Sequence, residues 1–164
     1  MRETASMTCR IVASPLGAIR LTAGEEALEA ITIIGGKAPD DASGHPLLDE
    51  AAAQLAAYFA GTLEAFDLPL APLQSERGNA LRAAIVAIPY GEMQSYGEVA
   101  RRIGSGPRAI GQACRRNPFP IVVPCHRVIG TKGSIGHYSG GEGVETKRHL
   151  LQLENRKEPR LWAA

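Results

Sequence analysis

The chain has 164 residues, 18 Lys and Arg against 17 Asp and Glu, and a net charge of +1 at pH 7. That length allows one large or two small domains with a substantial apolar core. No run approaches the roughly 20 apolar residues that span a bilayer, and residues 1–8 lack the apolar centre of a signal peptide. We therefore expect no membrane association and a location in the cytoplasm.

Cysteine usage favours the same compartment. The three cysteines, Cys9, Cys114 and Cys125, are odd in number and widely separated along the chain. A disulfide framework is therefore not expected, and a reducing environment fits better. In the N-terminal half, no group of Cys, His and Asp residues has the spacing of metal ligands, so we expect no metal site there.

Charge is distributed unevenly between the two halves. Residues 1–72 carry four Lys or Arg against ten Asp or Glu, a net charge of −6, whereas residues 73–164 carry fourteen against seven, a net charge of +7. We interpret residues 1–72 as an N-terminal α/β scaffold domain and residues 73–164 as a second domain that meets a polyanion. A solvated basic face would give the same count.

The N-terminal half is predicted to contain three strands and a helix. The strands cover Thr8–Ala13, Ala18–Ala23 and Leu28–Ile34, because alternating or β-branched residues there are separated by turn residues. A helix that ends at Gly61 follows, with apolar residues at helical spacing: Leu48, Ala51, Ala52, Leu55 and Phe59. The one histidine here, His45, is placed in a loop without a role.

The C-terminal half begins with a helix whose apolar face contains Leu81, Ala84, Ile85 and Ile88. Ser95 and Glu98 then form a capping-box pattern that predicts the start of a second helix. In that helix Tyr96 shares a face with Val99, Ala100 and Ile103. Its hydroxyl therefore points inward and needs a partner, either in a site or as an ordinary core tyrosine.

A tight turn, Gly104–Pro107, leads into a third helix with two distinct faces. The inward face contains Ile110, Ala113 and Cys114, and the outward face contains Arg108, Gly111, Gln112 and Arg115. Two helices joined by a short glycine-containing turn, the second of them basic, are typical of a helix-turn-helix. Helical hairpins of other kinds share this pattern.

The run Ile121–Ile129 places a cysteine between apolar residues and follows it at once with a base and a cation, His126 and Arg127. A thiol is a useful nucleophile as its thiolate, which a neighbouring histidine or positive charge stabilises. Adjacent side chains of an extended chain point to opposite sides, so we expect a water between Cys125 and His126. A buried structural cysteine is the alternative.

Two further segments complete the candidate site. The glycine-rich segment Gly130–Gly143 suits a loop whose backbone approaches a ligand closely. The last predicted helix carries Lys147, Leu150, Leu151 and Glu154 on one stripe. Glu154 thus lies on the buried side near a helix C-terminus, where the helix dipole disfavours an anion, and is a candidate partner for a histidine. A frayed helix end is the alternative.

These residues together resemble the O6-alkylguanine-DNA alkyltransferase family, the methylated-DNA–protein cysteine methyltransferases. The matching segments cover nearly all of residues 77–154: Ile88–Glu92, Ser95–Ala100, Arg108–Gly111, Asn117–Pro118, Pro124–Val128, Tyr138–Gly141 and Lys147–Glu154. The resemblance implies an α+β protein, with a small ribonuclease H-like N-terminal domain followed by a winged-helix-like domain with a helix-turn-helix. It further implies direct-reversal DNA repair by a monomer that needs no metal or organic cofactor.

The resemblance also implies a role for each matching residue. Cys125 accepts the alkyl group, His126 removes its proton through a water, and Glu154 orients His126. Tyr96 assists the leaving guanine at N3 and contacts the DNA backbone, and Arg108 fills the gap left by a flipped nucleotide. Four further residues are assigned to contacts in the minor groove of double-stranded DNA: Ala109, Gly111, Gln112 and Arg115. Four others are assigned to the substrate pocket: Asn117, Val128, Tyr138 and Ser139.

The sequence departs from the family pattern at several positions. The family usually has an aromatic residue at the position of Arg77 and a tryptophan at that of Arg82. The turn Gly104–Pro107 is about two residues shorter than the corresponding turn of the family. The zinc ligands that some members carry in the N-terminal domain have no match near Cys9. Two other classes remain open: a lesion-binding protein of the same fold without catalysis, against which Cys125 argues, and a cysteine hydrolase with a Cys-His-Glu triad.

Overall fold

The computed structural model describes residues 6–37 and 44–155 of the chain. The chain divides into two compact units, Met1–Ala71 and Pro72–Ala164. Of the N-terminal stretch that lacks a signal-peptide pattern, residues 1–5 lie outside the described part. Among the helices that the structure describes, none is long and apolar enough to cross a membrane.

The first unit is built on a three-stranded antiparallel sheet. Its strands, in spatial order, are β1 (Thr8–Val12), β2 (Ile19–Ala23) and β3 (Leu28–Ile33). The central strand β2 alternates buried and more exposed residues, as a sheet with one covered face requires. The three strands predicted from the sequence are thereby confirmed to within a residue or two.

In the described part of the first unit, one helix, α1 (Pro46–Ala60), packs against β1 and β2 and ends where Gly61 adopts a left-handed conformation with φ of 81°. His45 begins the helix: its Nδ1 accepts a hydrogen bond from Leu47 N at 3.2 Å, and its Nε2 donates to Gly24 O at 3.2 Å. The buried residues are Leu48, Ala51, Leu55 and Tyr58. The buried aromatic is therefore Tyr58 and not the predicted Phe59, because the 3.6-residue period carries the stripe to position 58.

The second unit contains four α-helices in its described residues: α2 (Glu76–Val86), α3 (Tyr96–Arg102), α4 (Pro107–Arg115) and α5 (Val144–Glu154). The predicted capping box at the start of α3 is confirmed. Ser95 Oγ accepts from Glu98 N at 3.1 Å, and Glu98 Oε2 accepts from Ser95 N at 3.2 Å. The inward placement of Ile103 is wrong, since α3 ends at Arg102 and the Ile103 side chain is left 38% exposed.

A short parallel pairing positions the candidate site. Strand β4 (Gln94–Ser95), directly before α3, pairs with β5 (Val128–Ile129), which directly follows the Cys-His-Arg run. The first residue of α3, Tyr96, is thus held near that run, although the two are some 30 residues apart in sequence. Helices α3 and α4 pack together as the predicted helix-turn-helix, and the whole is an α+β architecture.

Candidate active site

Cys125 lies at a double turn. Pro124 has φ of −81° and ψ of 61°, so Cys125 N reaches back to donate to Val123 O at 2.8 Å, as in an inverse γ-turn. A 3-10 turn over Cys125–Arg127 follows, in which Arg127 N donates to Pro124 O at 2.9 Å. The extended chain predicted here is wrong. Proline restricts φ and cannot donate to a strand partner, which favours a turn.

The turn is braced from both sides. Asn117 Nδ2 donates to Val123 O at 3.2 Å, and Asn117 Oδ1 accepts from Phe119 N at 2.9 Å. Ile121, fully buried, has a left-handed φ of 77°, an uncommon conformation for a β-branched residue. Such backbone strain persists only where the surroundings enforce it, and it is frequent at functional sites.

A buried ion-pair network lies directly behind the nucleophile. His126 Nε2 is 2.6 Å from Glu154 Oε2, and Arg127 Nε donates to Glu154 Oε1 at 2.8 Å. The carboxylate also accepts from Arg127 Nη2 at 3.1 Å and from Gly91 N at 3.3 Å. Arg127 Nη1 in turn donates to Ile88 O at 2.7 Å. Glu154 is therefore anchored and not frayed.

The network sets the charge of each member. Burial opposes ionisation of Glu154, but His126 and Arg127 outweigh it and hold the pKa of this carboxyl well below its usual range. Burial lowers the pKa of His126 despite the neighbouring carboxylate, so the imidazole is neutral at pH 7. Because the Nε2 hydrogen points to Glu154, Nδ1 is the basic nitrogen. Within residues 6–37 and 44–155, Nδ1 has no hydrogen-bond partner.

The Cys125 residue is buried, only 4% exposed, and its surroundings on balance favour the protonated thiol. A hydrogen bond with the Cys114 thiol and burial raise the pKa of Cys125 well above its usual value, while the contact from Asn117 Nδ2 at 3.4 Å lowers it. The stabilised thiolate expected from the sequence is therefore not the resting state. Cys114, predicted only as core, is buried as expected but also contacts the nucleophile. The hydrogen bond lowers the pKa of Cys114 while it raises that of Cys125, because the two adjacent thiols cannot both ionise easily.

A cavity of about 530 Å³ lies beside this constellation. Six of the residues assigned from the sequence line it: Tyr96, Arg108, Gly111, Arg115, Tyr138 and Ser139. Cys125 is not among the lining residues. Its hydrogen-bond partner Cys114, however, does line the cavity. Asn117 and Val128 lie outside the lining. Asn117 braces the turn described above, and Val128 is fully buried.

Lys147 is a buried cation to which the sequence assigned no role. Its side chain is fully buried, and Nζ donates to Val128 O at 2.6 Å and to His137 O at 3.1 Å. Burial lowers its pKa to about 8. The signal available in the sequence was a lysine on an otherwise buried stripe, where an amine must find buried acceptors.

Tyr96 closes one wall of the cavity. Its hydroxyl lies so near Gly136 that a Cβ there would come within 3.2 Å of it, and Gly136 has φ of 74°. The glycine-rich segment thus allows a close backbone approach, as predicted, here toward a side chain of the site. Burial raises the pKa of Tyr96 to about 12, so the hydroxyl remains a hydrogen-bond donor.

Helix α4 separates this cavity from a second concave surface. Arg108, Gly111 and Arg115 face the cavity, whereas Ala109, Gln112 and Arg116 line a groove on the other side. Both sets follow the three- and four-residue spacing of a helix face. Within the part of the chain that the structure describes, no three His, Cys, Asp or Glu side chains are grouped to hold a metal ion.

The fold and site define a class: a two-unit α+β protein in which a buried Cys-His-Glu constellation adjoins a helix-turn-helix. Known families match both units. The family model described as "6-O-methylguanine DNA methyltransferase, ribonuclease-like domain" matches residues 7–72, and the model described as "6-O-methylguanine DNA methyltransferase, DNA binding domain" matches residues 78–156.

Relatives agree over most of the chain. A methylated-DNA–protein-cysteine methyltransferase of Methanosarcina acetivorans is 43% identical over 151 residues, covering 88% of this chain and 96% of the relative. A protein of the same name from Mycolicibacterium paratuberculosis is 40% identical, covering 92% and 93%. Mycobacterium tuberculosis OGT in complex with DNA superposes with a TM-score of 0.79 at 38% identity, covering 92% of this chain and 94% of that one. The chain belongs to the 6-O-methylguanine DNA methyltransferase family.

Proposed function

We propose that this protein repairs O6-alkylguanine in DNA by transferring the alkyl group to Cys125. The Cys125 sulfur attacks the saturated carbon on guanine O6; the sulfur–carbon bond forms and the carbon–oxygen bond breaks. The electron pair leaves with the purine, which takes up one proton at a ring nitrogen and is thereby restored to guanine, so that the proton lost by the thiol is balanced. Displacement at such a carbon develops no tetrahedral oxyanion, so the proposed step calls on no metal or organic cofactor. The observation that carries the proposal is the buried Cys125–His126–Glu154 constellation beside the cavity.

His126 is the base in this scheme. Its Nδ1 is the free basic nitrogen, and a water between it and Cys125 would carry the thiol proton to the ring. The imidazolium that forms is stabilised by Glu154 Oε2 at 2.6 Å. Arg127 keeps that carboxylate ionised and in place. Since the resting thiol holds its proton, we expect deprotonation to accompany substrate binding.

The cavity suits a single nucleobase swung out of the duplex. The O6 substituent lies inside base-paired DNA, so a side chain cannot reach it without base flipping. Tyr96, Tyr138 and Ser139 line this cavity. In the proposal Tyr96 donates to the leaving guanine, and Tyr138 and Ser139 contact the flipped base. The Val128 carbonyl already accepts from Lys147, and its second lone pair could take the guanine amino group.

Helix α4 is proposed to enter the minor groove of double-stranded DNA. Its exposed Arg108 lies at the second helical position on the rim of the cavity, where it could fill the gap left by the flipped nucleotide. The small residues Ala109 and Gly111 beside it suit a groove only ~6 Å wide. Gln112 and Arg115 on the same helix would contact the flanking backbone.

Intact-protein mass after incubation with an O6-methylguanine oligonucleotide tests the proposal. We expect one added methyl group per protein, on the peptide that contains Cys125. Cys125→Ser should abolish transfer, since an alcohol is far less ionised, and should leave DNA binding nearly unchanged. Methyl mass on Cys9 or Cys114 would contradict the assignment.

Turnover separates this proposal from a cysteine hydrolase. A thioether is a poor leaving group, so product should stop at one equivalent per protein. A hydrolase with the same triad would continue past one equivalent and would cleave ester substrates. Either result would overturn the single-turnover assignment.

The site is complete within one chain, and we propose that the protein acts as a monomer. All three cysteines are free, which fits the reducing cytoplasm. Equilibrium sedimentation with and without a duplex oligonucleotide would test the monomer.

A further inference from the structure

The groove on the far side of α4 contains none of the reacting groups of the alkyl transfer described above, although Ala109 and Gln112 of α4 line it. Its volume is about 700 Å³, and it lies between α2 and α4 within the second unit. Its cations are Arg77 and Arg82 from α2 and Arg116 from the end of α4, and its lining contains no Asp or Glu. We call these three residues and their surroundings the arginine groove.

The three guanidinium groups are held in different ways. Arg77 is exposed and donates from Nη2 to Ser105 Oγ at 2.9 Å, which ties α2 to the turn before α4. Arg116 is exposed directly after α4. Arg82 is half-buried, with its guanidinium 5.1 Å from the centre of the Phe119 ring. Arg77 and Arg116 are therefore the two cations of the groove that a ligand can reach.

Cations gathered without acids in a concave surface repel one another, and an anion would relieve that repulsion. The planar guanidinium group pairs well with phosphate oxygens, in bidentate fashion where geometry allows. Because α4 forms one wall of the groove, a duplex held on α4 would bring a phosphate chain past its mouth. A string of regularly spaced phosphates fits an open groove better than a single small anion.

We propose that the arginine groove binds the sugar-phosphate backbone of the DNA duplex beside the lesion, with Arg77 and Arg116 each contacting a phosphate. This inference rests on the proposed function, because it takes the same duplex as ligand. Arg77 and Arg82 are also positions at which the sequence departs from the family pattern. The groove would thus give this chain a backbone contact that depends on its own residues, separate from the cavity that holds the flipped base.

The test is the salt dependence of binding to an unmodified duplex. Losing one phosphate contact should reduce the slope of log affinity against log salt by about 0.9, and affinity at 0.1 M salt by roughly eightfold. We expect this loss for Arg77→Ala and again for Arg116→Ala, and about twice the slope change for the double variant. Methyl transfer from free O6-methylguanine should keep its rate in all three variants.

Two controls separate charge from structure. Ser105→Ala removes the hydrogen bond from Arg77 but no charge, and should leave the slope unchanged. The double variant Arg20→Ala/Lys37→Ala removes the same net charge from exposed positions of the first unit and should also leave it unchanged.

An unchanged slope in the Arg77→Ala/Arg116→Ala variant would overturn the proposal, and so would an equal loss in the first-unit control. A loss reproduced by Ser105→Ala would show a structural effect of Arg77 and would equally overturn its phosphate contact. These measurements use undamaged DNA, so they can succeed or fail whether or not the wild-type protein transfers a methyl group.

Discussion

At the scale of single residues, the reactivity of Cys125 is decided by what touches it. Cys114 and burial favour the thiol, whereas Asn117 and Lys147 favour the thiolate. His126 is neutral and its basic nitrogen is directed away from Glu154, so it can take the proton when substrate arrives. In the resting site the Cys125 thiol is therefore protonated, and the neutral His126 is able to accept its proton.

Replacing Glu154 by Gln should weaken that base. The carboxylate raises the pKa of His126 against the effect of burial, and its loss would lower that pKa further and raise the apparent pKa of Cys125. We expect single-turnover methyl transfer to slow by about 10²-fold, the lower end of general-base contributions. Titration of the thiolate by its ultraviolet absorbance, together with the transfer rate, checks this.

Glu145→Gln is the matched control, since Glu145 lies on the same helix but is exposed and pairs only with Arg148 among the described contacts. An unchanged Cys125 titration in Glu154→Gln would show that this carboxylate supports the fold alone. Thermal unfolding of both variants would report the separate cost of leaving Arg127 with a neutral partner.

Replacing Cys114 by Ala should have the opposite effect on the nucleophile. The Cys114 hydrogen bond is the largest cause of the raised pKa of Cys125, and its removal should lower that pKa. Transfer at neutral pH should then be faster, with the rise in rate against pH shifted to lower pH. Cys9→Ala, at an exposed position in β1, should leave the profile in place. A profile shifted upward by Cys114→Ala would refute the role.

At the scale of elements, α4 is the part that organises function, because its two sides face two different concave surfaces. Its first residue is Pro107, which suits the start of a helix, and Gly106 precedes it without a capping side chain. Pro107 has no N–H, and Ala109 N donates to Gly106 O at 3.1 Å. The helix dipole nevertheless favours an anion such as a phosphate at this end, beside Arg108.

Arg108→Ala should slow methyl transfer from duplex DNA far more than from the free base. Filling the space of a flipped nucleotide offsets part of an unstacking cost of a few kcal/mol. Losing that part of the stabilisation should reduce the rate on duplex DNA by roughly tenfold to hundredfold. Single-turnover rates on both substrates measure the difference, with the exposed Arg101→Ala on α3 as the control. Equal slowing on both substrates would leave Arg108 a structural role only.

At the scale of the whole molecule, stability depends on a few buried charges in the second unit. Lys147 joins three segments that are distant in sequence: β5 through Val128 O, the glycine-rich segment through His137 O, and α5, on which it lies. Burial holds its pKa at about 8 in the folded protein, against 10.5 ordinarily. Between these values the unfolded chain binds more protons than the folded one.

Stability linked to Lys147 should therefore increase as pH rises through that window. We expect the difference in free energy of unfolding between wild type and Lys147→Met to grow from about pH 8 to 10.5. Lys132→Met, an exposed lysine in the same unit, should show no such growth. Urea unfolding across this pH range measures the difference, and a constant difference would refute the linkage.

Much of this protein follows from local sequence alone. The strands, the capping box of α3, the helix-turn-helix and the buried stripe of α5 were predictable because alternation, capping and helical spacing act between neighbours in the chain. Cys125, His126 and Glu154 could be proposed together because each stands out chemically in its own segment. The structure adds the direct contact between His126 Nε2 and Glu154 Oε2, which are 2.6 Å apart.

Only the tertiary structure decided what depends on distant pairing. The β4–β5 ladder brings Tyr96 to the nucleophile, and the double turn at Pro124 replaces the extended chain that β-branched residues predicted. The contact between Cys114 and Cys125 raises the pKa of Cys125, whereas the sequence led us to expect a stabilised thiolate. This contact joins a helix to a turn, so no periodic pattern in the sequence indicates it. The burial of Lys147 likewise depends on carbonyls from two other segments. The spacing of residues in the sequence determines which faces of a helix or strand are apolar. It does not determine which polar atoms of other segments those faces contact, because that depends on how the segments pack.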